Sequence, residues 1–429
     1  MVSTNSIALN PMAATTCVGS GHVTVDSPVS KRLTCPFPTL QLSSENASEL
    51  ETLAHKLIVS SIKEYESFLL DNHNRVDELR WKFVSSKENL RAYAKQARPM
   101  KSTHSHQANM PVADLPVVMI TGTIVGDLDD IMYGVACWTT EQVRVNLSYA
   151  YDEFPRCAVL STLVYPTVEN PFNMAAIKWV EYLAPLVLRP VIKHRDFVYM
   201  DTTGVERLRN GERVGYHIVH SVQFPETPTL DTHTRGNSSI SILYRQRTKN
   251  VTDVFIKGFF NSAEGIMRTM LIRATTRMLF SVAKSIYCSH TKKLAWALRQ
   301  RHNAEASSTS SGCTDGSSCA PSDDKRCFGC GKKQSVFVQA ASQISRGSKI
   351  LQKKRQCKIC MHHMCVDCRR QHQLIFLLSD QRLKQHLVTI CRSCEFNALS
   401  ESAVGIARKE MLLSNQVLCW DTISGLQSE

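Results

Sequence analysis

The stretch KKRQCKICMHHMCVDC, residues 353–368, decides how this chain is read, because it holds two Cys-x-x-Cys pairs only four residues apart. Two cysteines three apart on a tight turn aim both sulfurs at one point. Two such turns supply the tetrahedral four-thiolate set that structural zinc prefers. The pairs here are Cys357/Cys360 and Cys365/Cys368, and two more flank them, Cys327/Cys330 and Cys391/Cys394. Gly329 and Gly331 suit a knuckle turn at the first pair. Four pairs imply two zinc ions. The spacer between the second and third pairs is a poor loop for a shared metal, so the spacing predicts a cross-brace. Cys327, Cys330, Cys365 and Cys368 are expected on one zinc, and Cys357, Cys360, Cys391 and Cys394 on the other.

Charge gathers around the same cysteines. Residues 325–370 hold twelve Lys/Arg against a single acidic residue, Asp367, in a chain of formal net charge +13. A basic surface of this kind calls for an anionic partner. A disulfide framework would need an oxidising compartment, and the N-terminus has neither the basic nor the apolar region of a secretory signal. Metal in a reducing cytoplasm is the better fit, and the sequons at Asn46, Asn146, Asn237 and Asn250 then read as chance matches. No stretch approaches the roughly 20 apolar residues that span a bilayer.

Upstream of the cysteines, residues 303–324 (NAEASSTSSGCTDGSSCAPSDD) read as a flexible Ser/Thr-rich linker, with Cys313 and Cys319 as free thiols. Before it, Met267, Leu271, Ala274, Met278, Val282 and Ile286 form one apolar stripe on a long helix ending near His302. Core packing is the plain reading of that stripe, and closure of a ligand cavity is the alternative. Strands are expected at 114–123, 159–165, 175–182, 197–205, 213–224, 240–247 and 254–260, with a hairpin at Asn210-Gly211. Gly126-Asp-Leu-Asp-Asp130 starts a short helix. Helices are expected across 45–98 with a break at 71–74, begun by a capping box at Ser48 to Glu51. Residues 1–42 read as a disordered N-terminal tail and 399–429 as a C-terminal one.

The order helix, antiparallel sheet, long helix is α+β and lets a bent sheet wrap the last helix. It resembles the helix-grip fold of START lipid-binding domains, most closely the START-like domains that precede a zinc finger in oomycete proteins. GTIVGDLDDIMYG at 122–134, RDFVY at 195–199, GERVGYH at 211–217 and KLAW at 293–296 carry the resemblance, which spans residues 43–302. It implies a cavity that holds a lipid. Residues 325–398 resemble a FYVE zinc finger: KKRQCK at 353–358 stands at that family's basic motif and LVTIC at 387–391 before its last knuckle. The family's upstream Trp-x-x-Asp is replaced by Ser322-Asp-Asp-Lys-Arg326, and Arg355 and Gln356 stand at the motif histidines. The resemblance implies binding of phosphatidylinositol 3-phosphate on endosomal or other anionic membranes. Lys353, Lys354, Arg355 and Lys358 would contact phosphates, while Val336, Phe337 and Val338 would enter the bilayer.

One rival reading takes Cys360, His362, Cys365 and Cys368 as the core of a RING finger, which makes the protein a ubiquitin-ligase-associated adaptor with protein partners and no membrane. Nucleic acid is disfavoured, because the aromatic interleaving and groove-reading modules that bind it are missing. No carboxylate pair, Ser/His/Asp set or phosphate loop argues for an enzyme. Arg195, Asp196, Tyr216 and His220 read as satisfied structural partners, or else as cavity groups that fix a ligand headgroup.

Overall fold

The computed structural model describes residues 35–96, 116–150, 156–182, 193–261, 268–310, 326–332, 355–378 and 382–413. Its first helix, α1 (Ser44–Leu70), is capped by Ser43 and not at the expected Ser48. The Ser43 hydroxyl accepts the Asn46 N–H at 3.1 Å and so satisfies one of the free amides of the first turn. The chain then departs from the expected second helix. Residues 81–95 form a hairpin, β1 (Trp81–Lys87) and β2 (Leu90–Lys95), turning at Glu88, whose φ is +52°. Leu90, Ala92 and Ala94 alternate into the core as a strand requires, whereas Leu79, assigned to the helical stripe, is exposed.

The remaining strands are β3 (Val118–Val125), β4 (Cys157–Val164), β5 (Met174–Tyr182), β6 (His194–Arg207), β7 (Arg213–Ser221), β8 (His233–Arg235), β9 (Asn237–Thr248) and β10 (Val251–Asn261). They join the first hairpin in one ten-stranded sheet of order β1-β2-β3-β10-β9-β7-β6-β5-β4, with β8 pairing β6 in parallel and all other pairs antiparallel. The Asn210-Gly211 turn does connect β6 to β7, with Gly211 at φ +85°.

Period-two alternation gives the sheet two apolar faces. Along β10, Phe255 faces α1, where its ring lies 5.4 Å from Tyr65 and 5.0 Å from Phe68. Val254 and Ile256 face the other way, into a core shared with α2 (Leu128–Val135) and α4 (Arg268–Leu279), with α3 (Thr140–Ala150) following α2 in the chain. The expected single long helix is broken: α4 ends in a 3₁₀ turn (Phe280–Lys284), and α5 (Ser285–Ser310) restarts and runs into the stretch read as linker. Gly134 lets α2 lie directly on α5, since a Cβ there would sit 2.0 Å from the Ser285 carbonyl oxygen. Gly134→Ala is therefore expected to cost about 1–3 kcal/mol, read as a lowered urea midpoint with an unchanged slope.

Of the stretches read as terminal tails, residues 35–42 and 399–413 are described and contribute to the body of the fold, while 1–34 and 414–429 lie outside the described residues. Phe37 and Leu40 are buried against the sheet, with Phe37 edge-on to Trp179 and the Leu40 N–H bonded to Leu160 O at 2.9 Å. Beyond the last cysteine pair, α6 (Arg392–Ser400) leads into α7 (Ala403–Leu412), which Ser402 caps. Ala403, Ile406 and Ala407 enter the same core as α2 and Trp296. The cysteine module is thus held at both ends, by α5 before it and α7 after it. Its hairpin, β11 (Arg369–Leu377) with β12 (Leu383–Cys391), packs Ile375, Leu377 and Leu383 on Val145 and Tyr149 of α3. The Tyr149 hydroxyl accepts the Ile375 N–H at 2.7 Å. Among the described residues, no helix is long and apolar enough to cross a membrane.

Candidate metal centres and ligand cavity

Three of the four knuckles are built by a local turn, and the fourth, Cys391/Cys394, by the start of α6, where the Cys394 N–H meets Cys391 Sγ at 3.4 Å. The N–H four residues after the leading cysteine returns to that cysteine's carbonyl: Gly331 to Cys327 at 2.8 Å, Met361 to Cys357 at 2.9 Å, Arg369 to Cys365 at 3.2 Å. Gly331 and Met361 make the turn at positive φ, +68° and +60° respectively. Only the glycine does so without steric cost. The hairpin then sets the long-range geometry. Arg369, next to Cys368, pairs with Cys391 across the ladder, so the third and fourth knuckles lie at one end of β11-β12.

The result is two groups of four thiols, Cys327/Cys330/Cys365/Cys368 and Cys357/Cys360/Cys391/Cys394, each with its sulfurs within 4.8 Å of one another. Cys330 and Cys365 Sγ are 3.7 Å apart, and Cys360 and Cys391 Sγ 3.8 Å. Those separations are far beyond a disulfide bond. They match the edge, about 3.8 Å, of a tetrahedron with metal–sulfur bonds of about 2.3 Å. Cys357, and not His362, completes the second group. The His362 ring instead stacks on Phe328 at 4.1 Å.

Electrostatics at the sulfurs point the same way. Burial raises the Cys327 thiol, but N–H groups of Cys365, Cys330 and Gly329 outweigh it and bring it down to about 6. Cys357 is likewise raised by burial and lowered overall by the amides of Cys360, Cys391 and Ile359; the Cys391 N–H lies 3.3 Å from its sulfur. Beside these thiolate-prone sulfurs a neighbour in each group is forced up: Cys368 to about 12 by hydrogen bonding with Cys365 and Cys330, Cys360 to about 11 mainly by burial. Each cluster favours one thiolate and resists a second without a cation at its centre. A dication resolves that conflict, so the residues fit a metal ion. It would supply structural cross-linking, with no open position for a substrate among four protein ligands.

Of the residues expected at phosphate, Arg355 and Lys358 lie beside the second knuckle, and both are partly buried. The Lys358 carbonyl accepts Arg301 Nη1 of α5 at 2.8 Å. Lys353, Lys354, Val336, Phe337 and Val338 lie outside the described residues, as do Cys313 and Cys319.

The sheet holds a separate cavity of about 190 Å³ beneath α3, α4 and α5. Val180, Phe197, Ile240 and Ile242 form its sheet wall, and Met278 and Val282 close it from the helix side. The Met278–Val282 stripe therefore does line a cavity, while Ala274 of the same stripe is exposed. The cavity floor is charged. Lys178 is 2% exposed and pairs with Asp201 Oδ2 at 2.5 Å while donating to the Cys137 carbonyl at 2.6 Å. His217 Nε2 lies 2.9 Å from the other Asp201 oxygen. Burial pushes the Asp201 carboxyl up, but Lys178 and His217 outweigh it and hold it well below the usual carboxylate range.

None of these three was read as a site residue from sequence; the available signal was a lysine in the mostly apolar strand MAAIKWVEY. The residues that were singled out serve elsewhere. Asp196 accepts Trp179 Nε1 at 3.1 Å and Arg235 Nη2 at 2.9 Å. Tyr216 bonds Asn173 at 3.4 Å and His220 pairs with Ser239 at 3.0 Å. Arg195 sits on β6 among partners of its own.

No family profile matches the chain, and no curated protein matches it. Among solved structures it is similar to the human StarD13 lipid transfer and protein localization domain, at 14% identity and TM-score 0.35, over 54% of this chain and 95% of that one. Human STARD10 matches at 11% and 0.34, over 59% and 83%. Human StAR-related lipid transfer protein 5 stands at 14% and 0.36, over 55% and 98%. Strand order and core packing, rather than a likeness of this size, define the architecture.

Proposed function

We propose that the protein is a non-enzymatic adaptor that binds two zinc ions in its C-terminal module and an amphipathic, lipid-class ligand in its sheet cavity. The cavity carries this reading: apolar walls enclose the Lys178–Asp201–His217 cluster, so an apolar body and a polar head find complementary surroundings together. Its volume, about 190 Å³, is smaller than that of ordinary ligand sites, which begin at roughly 300 Å³. It accepts one compact apolar group as it stands. A whole lipid enters by displacement of α4, for which the 3₁₀ turn at Phe280–Lys284 is the natural hinge.

The zinc module is proposed to attach the protein, from the cytoplasm, to anionic membranes such as endosomes bearing phosphatidylinositol 3-phosphate. Its charge supports this, at about 1 kcal/mol per basic residue near an anionic surface. Weak attachment by one finger would be reinforced by the docked sheet domain.

Two measurements test the reading on the full zinc-loaded chain. In liposome co-sedimentation, vesicles with the 3-phosphate should pull down more protein than phosphatidylserine vesicles of matched charge. Lys353→Ala with Lys354→Ala and Arg355→Ala should abolish the preference. Equal binding would leave only electrostatic attachment, and no binding would move protein partners to the front. In the second, Val219→Phe, which narrows the cavity, should lower retention of bound lipid by about tenfold or more, which is about 1.4 kcal/mol. Unchanged retention would place the ligand elsewhere.

A further inference from the structure

A second cavity, of about 230 Å³, lies where the zinc module meets the sheet domain. Both modules build it: Trp138 and Val145 come from the α2–α3 region, Arg299 from α5, Ile375 and Leu377 from β11, and Glu410 from α7. Its walls are mostly apolar, but three polar groups meet at one end. Arg299 Nε is buried with no hydrogen-bond partner, while the Tyr133 hydroxyl is buried with the Glu410 carboxyl as its neighbouring acceptor. Burial, and after it the charge of the nearby Glu410, push the Tyr133 phenol well up. Burial also raises the Glu410 carboxyl, against the lowering pull of Lys292, Arg299 and Tyr133.

A buried donor left without an acceptor costs about 1–3 kcal/mol, so Arg299 Nε gives this end of the cavity a use for an oxygen atom. Lys292 does not fill that need. Its ammonium is already spent on the carbonyls of Tyr133 and Ala136, at 2.8 and 3.1 Å, and on Cys137 Sγ at 3.5 Å.

We infer that this interdomain cavity is a ligand site for a small amphipath, with one ring or a short alkyl chain against the α3–β11 walls and an oxygen-bearing head at Tyr133 and Arg299. The size follows from scale: a dry cavity of about 150 Å³ holds benzene, so this one takes a chain of about six to eight carbons. A hydroxyl head can accept from Arg299 and donate to Glu410; a carboxylate head accepts from Arg299 but faces the Glu410 carboxyl, and an ammonium head meets Arg299 without an acceptor to offer it. The site is separate from the sheet cavity and does not depend on lipid binding there. Because it exists only while the zinc module is docked, its occupant stabilises the docked arrangement by mass action.

The test uses the full zinc-loaded chain titrated with octan-1-ol, octanoate and octylamine by calorimetry and tryptophan fluorescence, since Trp138 lines the site. Saturable binding of octanol or octanoate is expected, with octylamine weakest. Ala295→Phe, which fills the cavity from α5, should abolish it. Tyr133→Phe should weaken it by about fivefold to tenfold for the loss of one hydrogen bond. Val219→Phe, in the sheet cavity, should leave it unchanged. Binding that survives Ala295→Phe but is lost in Val219→Phe overturns the inference, and so does the absence of saturable binding by any of the three probes. Should Ala295→Phe not fold, Tyr133→Phe decides: affinity equal to the parent chain rejects the site.

Discussion

Replacing Cys357 with serine is expected to cost the protein one of two bound metal ions and to loosen the whole C-terminal module. Its sulfur is fully buried, accepts the Cys391 N–H and belongs to the same cluster as Leu294 and Leu298 of α5. Structural zinc sites carry apparent binding free energies of about 10–16 kcal/mol at neutral pH. The packing of Leu374, Phe376, Val388 and Ile390 against Leu294 and Leu298 is then left to hold the module. Metal content measured by native mass spectrometry should fall from two ions to one. Hydrogen exchange should accelerate in β11 and β12, which lie against α3, while β5 and β6 stay protected. His362→Ala should keep both ions. The opposite pattern, with both retained in Cys357→Ser and one lost in His362→Ala, would overturn the four-cysteine assignment and favour the RING-like one. Acid should act in the same direction as the substitution, because protons compete with metal for each thiolate.

Lys178→Met should destabilise the sheet domain by about 3–5 kcal/mol, the usual cost of breaking a buried ion pair from one side. The ammonium is the foremost partner holding the Asp201 carboxyl ionised, and without it a buried charge faces only His217. At about 2–4 °C per kcal/mol for a domain of this size, a thermal midpoint lower by about 10 °C is expected. The pH dependence follows from the direction of the shift. In the parent chain the Asp201 carboxyl titrates below its ordinary range, whereas in the unfolded chain it titrates at about 3.9. Its contribution is therefore fully present above the unfolded value and is lost as pH falls through the folded one. In Lys178→Met the carboxyl is raised by burial instead, so the deficit against the parent should shrink between pH 7.5 and pH 4.5. Denaturant melts at the two pH values measure this, and a deficit that does not change with pH would mean that Lys178 acts through packing alone. Lys178→Met combined with Asp201→Leu should recover much of the loss, since an apolar pair of similar volume is often neutral or better.

Sequence and structure agree where the signal is local. A Cys-x-x-Cys knuckle closes within four residues, and the Asn210-Gly211 turn closes within two, so each is legible without knowing what surrounds it. The pairing of knuckles was also within reach, because a four-residue spacer restricts which pairs can meet. The misreading at 81–95 has a definite cause. Leu79 reads with the helical stripe that precedes it, and only hydrogen bonding of β2 to β3 selects the alternation of Leu90, Ala92 and Ala94. The two tail readings were wrong where the structure describes them, at 35–42 and 399–413, for a related reason: Phe37, Leu40 and Ile406 sit in apolar stretches of a few residues, buried by surfaces that other segments supply.

The sequence by itself therefore determined the α+β class, the eight cysteines that gather into two four-thiol groups, the concentration of basic charge beside them and most strand positions. All of these rest on contacts a few residues long or on period-two and period-3.6 patterns. Only the tertiary structure decided what the protein can hold. Lys178, Asp201 and His217 come from three neighbouring strands, and the second cavity needs α5, β11 and α7 together. A buried charge is stable only when distant segments deliver its partners to the same place. No window of sequence contains that information, because the contacts that make it stable are made by the fold.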